Sequence, residues 1–197
     1  MDRETLSDLL LGNVTRALTM LEDSAEFALL MPEVWVNMVY ALTGAKSPAD
    51  VVAVDGRITS GRGVTRTAGL PRFGASNHMA RLMIEVRKYS PEFNAGINFK
   101  CDEDVIEVVK KYCAEKGFLF GWIDRTREPA EVAVKEGGSM PWKIKYLVDT
   151  YGGVPRFFYE GDGWGKEPLF VALGRDAVEA TAMAIDIAKR YKEKIRA

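Results

Sequence analysis

The sequence has few of the residues that build metal centres and disulfide frameworks. Its 197 residues include one histidine, His78, and two cysteines, Cys101 and Cys113. Two cysteines are too few for a disulfide framework, and their spacing is not that of a Cys-x-x-Cys zinc site. A single imidazole excludes a zinc or iron centre built from several histidines of one chain. Any metal is therefore expected to be a hard cation such as Mg²⁺, held by carboxylate and phosphate oxygens.

Long apolar runs and an excess of charge of one sign are also missing. The longest apolar stretches, such as residues 27–31 and 169–173, are far shorter than the roughly 20 residues of a membrane-spanning helix. The N-terminal Met-Asp-Arg-Glu does not have the layout of a signal peptide, so we expect a cytoplasmic protein with no membrane partner. The 27 basic and 28 acidic residues are nearly balanced, which disfavours a nucleic-acid partner. The length suits one domain over residues 1–197.

Helical and strand patterns alternate along the chain. Apolar residues at helical spacing predict helices over 5–22, 24–31, 102–116 and 139–151, another after residue 76, and a last one from 176. Short apolar or alternating runs predict strands at 34–40, 51–54, 57–59, 64–68, 95–99, 118–123, 155–159 and 169–173. Hairpin-like strand pairs near 51–68 and 155–173 favour a three-layer α/β/α domain with a mixed sheet over a purely parallel sheet.

Residues 56–84 carry a local excess of positive charge. They include five glycines, His78 and no carboxylate. They also include five arginines: Arg57, Arg62, Arg66, Arg72 and Arg81. The glycines allow backbone N–H groups to approach a ligand closely, and the segment ends in a turn before a helix with Ser76 as its expected N-cap. Because His78 then lies in the first helical turn, the segment predicts a phosphate or pyrophosphate site, with a solvated loop and a nucleic-acid groove as alternatives.

Two other segments are candidate sites, each with a simpler structural explanation. Asp124 and Arg125 follow an apolar strand, where α/β proteins place functional residues, but an exposed ion pair explains them equally well. Lys166 ends the glycine-rich segment 161–166, which lacks P-loop spacing and is followed by a strand. A second phosphate contact through Lys166 is the functional interpretation, and a hairpin turn is the favoured alternative.

A series of short motifs runs in order along almost the whole chain. They are Val-Asn-Met-Val-Tyr-Ala-Leu (36–42), Gly-Ala-Lys-Ser-Pro (44–48), Gly-Arg-Ile (56–58), Phe-Gly-Ala-Ser-Asn-His (73–78), Ile-Asp-Arg (123–125), Glu-Pro (128–129), Pro-Trp (141–142), Gly-Gly-Val-Pro (152–155), Gly-Lys-Glu-Pro (165–168) and Leu-Gly-Arg-Asp (173–176). Each motif alone is weak, but the ordered set is specific. With these motifs the chain resembles the ThiN family, the archaeal-type thiamine-phosphate synthase domain.

The resemblance implies a fold and a reaction. The fold would be similar to the class II aldolase (AraD-like) architecture, without its metal chemistry, because the histidine ligands of those aldolases are absent. The reaction would join hydroxymethylpyrimidine diphosphate, a phosphorylated pyrimidine, to hydroxyethylthiazole phosphate, a phosphorylated thiazole, and release pyrophosphate. The family's catalytic arginine and histidine correspond to Arg57 and His78.

Further site residues and partners are expected for such an enzyme. Mg²⁺ accompanies the diphosphate, no organic cofactor is needed, and a homodimer is left open. The residues expected to contact substrate or phosphate are Arg72, Gly74, Ala75, Ser76, Asn77, Asp124, Arg125 and Lys166.

A second functional class stays open. Some members of the ThiN family follow a helix-turn-helix domain, bind thiamine phosphate as a signal and lack the histidine, and others are fused to the pyrimidine kinase. His78 favours the enzyme. A thiamine-phosphate sensor without activity is the alternative, because a histidine can persist after activity is lost.

Overall fold

The secondary structure follows the alternating pattern of the sequence. The computed structural model describes residues 2–133, 139–161 and 167–196. Its α-helices are α1 (Arg3–Asp23), α2 (His78–Tyr89), α3 (Glu103–Lys116), α4 (Ala130–Ala133), α5 (Ser139–Tyr151) and α6 (Ala177–Lys194), and short 3₁₀ helices cover Phe27–Leu30, Pro48–Asp50 and Arg125–Arg127. Its strands are β1 (Met38–Ala41), β2 (Val51–Val54), β3 (Ile58–Gly61), β4 (Val64–Thr67), β5 (Pro71–Phe73), β6 (Ala95–Lys100), β7 (Phe120–Ile123), β8 (Phe157–Glu160) and β9 (Leu169–Gly174).

Seven strands form one mixed sheet in the order β5-β2-β1-β6-β9-β8-β7. The pair β7–β8 is parallel, and the other neighbouring pairs are antiparallel. Helices α1, α3 and α6 pack on one face of this sheet, and α2 and α5 pack on the other. The predicted three-layer α/β/α domain with a mixed sheet is therefore confirmed.

Each face of the sheet has its own apolar core, because successive side chains of a strand point to opposite faces. Met38 of β1 belongs to the core under α1 and α6, whereas its neighbour Val39 belongs to the core under α2 and α5. Cys101 and Cys113 are both buried in the first core, as expected for small apolar side chains. Burial raises the pKa of the Cys113 thiol to about 12.

The helix ends also follow from the sequence. The Asp102 and Asp176 carboxylates accept hydrogen bonds from the backbone N–H of Val105 and Glu179, each at 2.8 Å, and cap α3 and α6. Gly117 ends α3 at φ 67°, a left-handed conformation that suits glycine. Among the described residues, no helix is both long and apolar enough to cross a membrane.

The structure departs from the sequence-based assignment at several places. The predicted helix 24–31 is a 3₁₀ helix over Phe27–Leu30, α4 was not predicted, and three further differences follow. The predicted strand 34–40 begins only at Met38, because Trp35 has a left-handed backbone with φ 69° that interrupts an extended run. The edge strand β5 was not predicted, since a three-residue strand that starts at Pro71 has almost no pattern of its own. Helix α2 begins at His78 with Asn77, rather than Ser76, in the N-cap position.

Strands β3 and β4 form a separate two-stranded hairpin next to the main sheet. The Glu22 carboxylate, near the end of α1, accepts hydrogen bonds from the backbone N–H and the hydroxyl of Thr67 at 2.8 and 2.7 Å. These bonds hold the pKa of Glu22 below its usual value. Ala68 then donates from its backbone N–H to the carbonyl of Arg57 at 3.0 Å, so the hairpin base fixes the backbone of Arg57.

Candidate active site

A pocket of about 300 Å³ opens at one end of the main sheet, on the face covered by α2 and α5. Its apolar wall consists of Val34, Trp35, Met79, Leu82, Leu169 and Val171. Its polar wall consists of Arg57, His78, Asn98, Arg125, Lys143, Glu160 and Glu167. The register explains this grouping, because Leu169 pairs with both Glu160 and Lys100 and thereby aligns the ends of β6, β9 and β8.

Arg57 and His78 line this one pocket, although 21 positions separate them in the chain. Arg57 precedes β3, and His78 is the first residue of α2. Both residues are exposed, so they lie where a ligand enters from solvent. The backbone N–H groups of the first turn of α2, which have no acceptor within the helix, add partial positive charge beside His78. The pocket therefore combines a guanidinium, an imidazole and a helix N-terminus, which together suit an anionic group.

The backbone at this pocket is strained at two non-glycine residues. Trp35 and Arg57 have φ values of 69° and 79°. They flank an antiparallel bridge in which Val36 and Ile58 exchange hydrogen bonds of 3.0 and 2.8 Å. Left-handed backbone of this kind costs of the order of 1 kcal/mol per residue and persists where neighbouring contacts enforce it.

Two buried or half-buried side chains hold the Trp35 segment in place. The Glu167 carboxylate accepts hydrogen bonds from the backbone N–H groups of Glu33 and Val34 at 3.0 and 3.2 Å. The buried Asn98 amide donates to the carbonyl of Trp35 at 3.2 Å and accepts from the N–H of Asn37 at 2.7 Å. Glu167 and Asn98 thus position the rim of the pocket, where the half-exposed Trp35 forms part of the lining.

A cluster of four charged side chains lies at the other end of the pocket. Lys143 is only 2% exposed, and its Nζ donates to Oε2 of Glu160 at 2.5 Å. Arg125 lies between two carboxylates, with Nη1 3.8 Å from Oε2 of Glu160 and Nη2 3.4 Å from Oε2 of Glu128. The Ser139 hydroxyl also donates to Glu128. Two cations and two carboxylates therefore balance one another.

Arg72, a predicted phosphate contact, is not part of the pocket wall. It lies on β5 at the sheet edge, and its side chain is more than half exposed. Its Nε and Nη2 donate to the two carboxylate oxygens of Asp55 at 2.9 and 3.2 Å. The Arg72 guanidinium holds the pKa of Asp55 below its usual range. A phosphate at Arg72 would have to compete with this carboxylate.

The turn before α2 positions His78 but, within the described structure, residues 74–77 do not line the pocket. Gly74 has φ 74°, which lets the chain turn from β5 toward α2. Ala75 packs against the core beneath α2, and Ser76 is buried. The exposed Asn77 makes no capping side-chain bond to the described residues.

Asp124 and Arg125 have different roles. The Asp124 carboxylate accepts from the N–H and hydroxyl of Thr126 at 3.0 and 2.6 Å and caps the 3₁₀ helix, and these bonds lower its pKa. Arg125 points into the pocket. Lys166 lies outside the described residues.

Sequence reasoning missed the acidic and lysine members of the pocket. Lys143 had a signal, because it occupies the apolar face of α5 together with Met140, Ile144 and Leu147. A lysine at such a position must be paired when buried. Glu160 ends an apolar strand, but many strands end in an exposed carboxylate, so its position alone indicated nothing.

Comparisons with known proteins agree with the fold and show the family. The family described as "Thiamine-phosphate synthase ThiN" matches residues 13–186. The chain is 41% identical over 180 residues to "Thiamine-phosphate synthase ThiN" of Methanothermobacter thermautotrophicus, covering 91% of this chain and 93% of that protein. It is 36% identical over 163 residues to "Bifunctional thiamine biosynthesis protein ThiDN" of Methanocaldococcus jannaschii, covering 82% of this chain and 37% of that protein.

Two solved structures have folds similar to that of this chain. The C-terminal domain of a phosphomethylpyrimidine kinase superposes with a TM-score of 0.86 at 32% identity, over 91% of this chain and 98% of that chain. YgbL of Escherichia coli, described as an aldolase/epimerase/decarboxylase, superposes with a TM-score of 0.52 at 11% identity, over 97% of this chain and 90% of that chain. The second likeness concerns the fold alone, and it confirms the expected aldolase-like architecture. The matched family and the 41% identical relative show that this chain belongs to the ThiN family.

Proposed function

We propose that this chain is a thiamine-phosphate synthase, a transferase that joins hydroxymethylpyrimidine diphosphate to hydroxyethylthiazole phosphate. The observation that carries the proposal is the pocket that Arg57 and His78 share at the N-terminus of α2. Family membership supplies the reaction, and the pocket supplies groups that suit its leaving group.

The reaction breaks one bond and forms one bond at the methylene carbon of the pyrimidine. The C–O bond to diphosphate breaks with its electron pair, so negative charge grows on the departing oxygen and positive charge grows on the methylene. The thiazole nitrogen then donates its lone pair to form the C–N bond and becomes cationic. Thiamine phosphate and pyrophosphate are the products, so the atoms and charges balance without an oxidant or a reductant.

Arg57 and His78 act on the leaving group in this proposal. The Arg57 guanidinium stabilises the charge that develops on the diphosphate oxygens, aided by the N–H groups of the first turn of α2. His78 donates a hydrogen bond or a proton to the departing oxygen. The thiazole nitrogen needs positioning more than a base, which the apolar wall can supply.

Mg²⁺ enters this proposal as a companion of the diphosphate. In residues 2–133, 139–161 and 167–196, no group of three or more His, Cys, Asp or Glu side chains could hold a metal ion. The two carboxylates of the pocket wall are engaged, Glu160 with Lys143 and Glu167 with backbone N–H groups. The described residues therefore do not form a protein-built cation site, and we propose that diphosphate oxygens supply the Mg²⁺ ligands.

Synthesis from the two precursors tests the proposal. The purified chain, mixed with both precursors and Mg²⁺, is expected to form thiamine phosphate over many turnovers. His78→Ala is expected to lower kcat much more than it weakens pyrophosphate binding, because the contribution of His78 grows in the transition state. Arg16→Ala, on the exposed face of α1, is the matched control and should leave both unchanged.

The sensor alternative predicts a different result. A sensor would bind thiamine phosphate at about micromolar concentration or below, which corresponds to roughly 8 kcal/mol, and would form none. Tight product binding without turnover would reject the synthase. Equal losses of kcat and of pyrophosphate binding in His78→Ala would assign His78 to binding alone.

A further inference from the structure

The charged cluster at the far end of the pocket is unsuited to a phosphate. Each of its cations already faces a carboxylate, Lys143 with Glu160 and Arg125 with both Glu160 and Glu128. A phosphate there would have to displace a carboxylate from its cation. The displaced carboxylate would then stay buried without an opposite charge beside it. The cluster therefore suits a neutral polar group.

Glu160 is the more exposed member of its pair with Lys143. Its side chain is 16% exposed, whereas that of Lys143 is 3% exposed. The described contacts of the Glu160 carboxylate to Lys143 and Arg125 both use Oε2. They fix the orientation of the carboxylate, and within residues 2–133, 139–161 and 167–196 no contact uses Oε1, which can therefore accept from a ligand. A group that donates a hydrogen bond is the matching chemistry.

The strand order separates Glu160 from the anion site. Arg57 lies beside the bridge to Val36, which precedes β1, and Glu160 ends β8. The strands β1, β6, β9 and β8 are consecutive neighbours, so three inter-strand spacings, or about 14 Å, lie between the two ends. The apolar side chains of Leu82 and Val171 lie on the pocket wall between these ends. A flat ring in this middle section can have its phosphates at Arg57 and its far edge at Glu160.

The pyrimidine of the proposed reaction has such a donor. Its exocyclic amine is bonded to the ring carbon next to the one that carries the reacting methylene. As the C–O bond breaks, positive charge spreads from the methylene through the ring to this nitrogen. Its N–H groups then become stronger donors, so a carboxylate that accepts from them stabilises the transition state more than the ground state.

On the basis of the proposed function, we infer that Oε1 of Glu160 accepts a hydrogen bond from the exocyclic amine of the aminopyrimidine. Lys143 and Arg125 position the Glu160 carboxylate through Oε2. Glu160 thereby selects the amino-substituted ring and contributes to the departure of diphosphate.

A two-by-two experiment tests this contact. Wild-type protein and Glu160→Gln are each assayed with the natural pyrimidine diphosphate and with an analogue in which hydrogen replaces the amine. Loss of the amine removes its resonance stabilisation in both proteins, and in wild type it also removes the hydrogen bond to Glu160. That hydrogen bond is expected to account for about tenfold of the fall in kcat/KM, as for a hydrogen bond to a charged group. For Glu160→Gln with the natural substrate, kcat should fall more than KM rises. The analogue should then be penalised much less in Glu160→Gln than in wild type.

The controls separate this contact from folding and from the function itself. Glu107→Gln removes a surface carboxylate that pairs with Lys194 at 2.6 Å, and it should show the wild-type penalty. An equal penalty for the analogue in wild type and Glu160→Gln would overturn the inference. If wild type forms no thiamine phosphate, the synthase proposal fails by itself. In that case the thermal stabilisation of wild type by thiamine phosphate is compared with its stabilisation by the deaminated analogue. If both ligands stabilise the protein equally, or if neither stabilises it, the proposed contact is overturned.

Discussion

Breaking the pair formed by Lys143 and Glu160 should strongly destabilise the protein, and Lys143→Met tests this. Methionine keeps most of the apolar stem but removes the ammonium. In the variant, the one cation left beside Glu160 within the described part of the chain would be the more distant Arg125, whose Nη1 is 3.8 Å from Oε2. The carboxylate would then be partly buried with less than its full compensation.

The expected loss follows from burial. Removing one partner of a buried ion pair costs about 3–5 kcal/mol, because the remaining charge stays desolvated. Since Arg125 compensates in part and the Glu160 side chain is 16% exposed, we expect the lower end, about 3 kcal/mol. For a protein of this size, that loss corresponds to a decrease in Tm of about 6–12 °C.

Helix α5 itself provides the matched control. Lys145 is two residues further along and pairs with Asp149 at 2.8 Å, but both side chains are more than half exposed. Lys145→Met removes the same type of charge from the same helix, and it should barely change Tm, because water and salt screen an exposed pair. Thermal and urea unfolding of the two variants and wild type provide the measurement.

The reasoning also predicts partial recovery in a double variant. Lys143→Met combined with Glu160→Gln removes the uncompensated carboxylate, so it should be more stable than Lys143→Met alone. The argument would be refuted if Lys143→Met lost no more stability than Lys145→Met. A double variant that loses the sum of both single effects would show that the two side chains do not interact.

Two further predictions concern the frame around the site. Glu22 has a lowered pKa in the folded state, so its bonds to Thr67 stabilise the protein above the ordinary pKa of 4.5 and are lost as the pH falls through the lower folded value. Urea unfolding should therefore find Glu22→Gln less stable than wild type at pH 6, with a gap that closes toward pH 3; a gap independent of pH would contradict the assignment. Gly174→Ala should lower Tm, because a Cβ there would lie 2.7 Å from the backbone N of Ala180 and 2.9 Å from the carbonyl oxygen of Asp176. Gly153→Ala, whose nearest neighbour is Leu119 at 3.9 Å, is its control, and an equal Tm for the two variants would show that β9 and α6 move apart easily.

Much of the fold could be predicted because its signals are local. The apolar face of α1, the capping residues Asp102 and Asp176, and the continuous apolar run of β2 each indicate their own element without knowledge of the rest. The prediction failed where the local pattern is weak or is overruled. Trp35 shows the second case, since side chains distant in sequence hold it in a backbone conformation that interrupts a strand.

The candidate site likewise has features that the sequence indicates and features that depend on the fold. The acid-free segment 56–84 and the ordered motifs identify Arg57 and His78 from residue type and order, and the folded chain places both on one pocket wall. The same segment gives no means of ranking Arg57 above Arg72. That difference arises because β5 pairs with β2 at the sheet edge and brings Arg72 to Asp55.

Residue type, periodicity and motif order were sufficient for the family and the layer architecture, because these properties are expressed locally along the chain. Which charges are neutralised and which remain for a ligand depends instead on the folded arrangement. Lys143 meets Glu160 through the packing of α5 against the sheet, and Glu167 meets the backbone of Glu33 across 134 positions of the chain. Such pairs depend on strand order and helix packing, which no short stretch of sequence encodes, and they determine the electrostatics of the pocket.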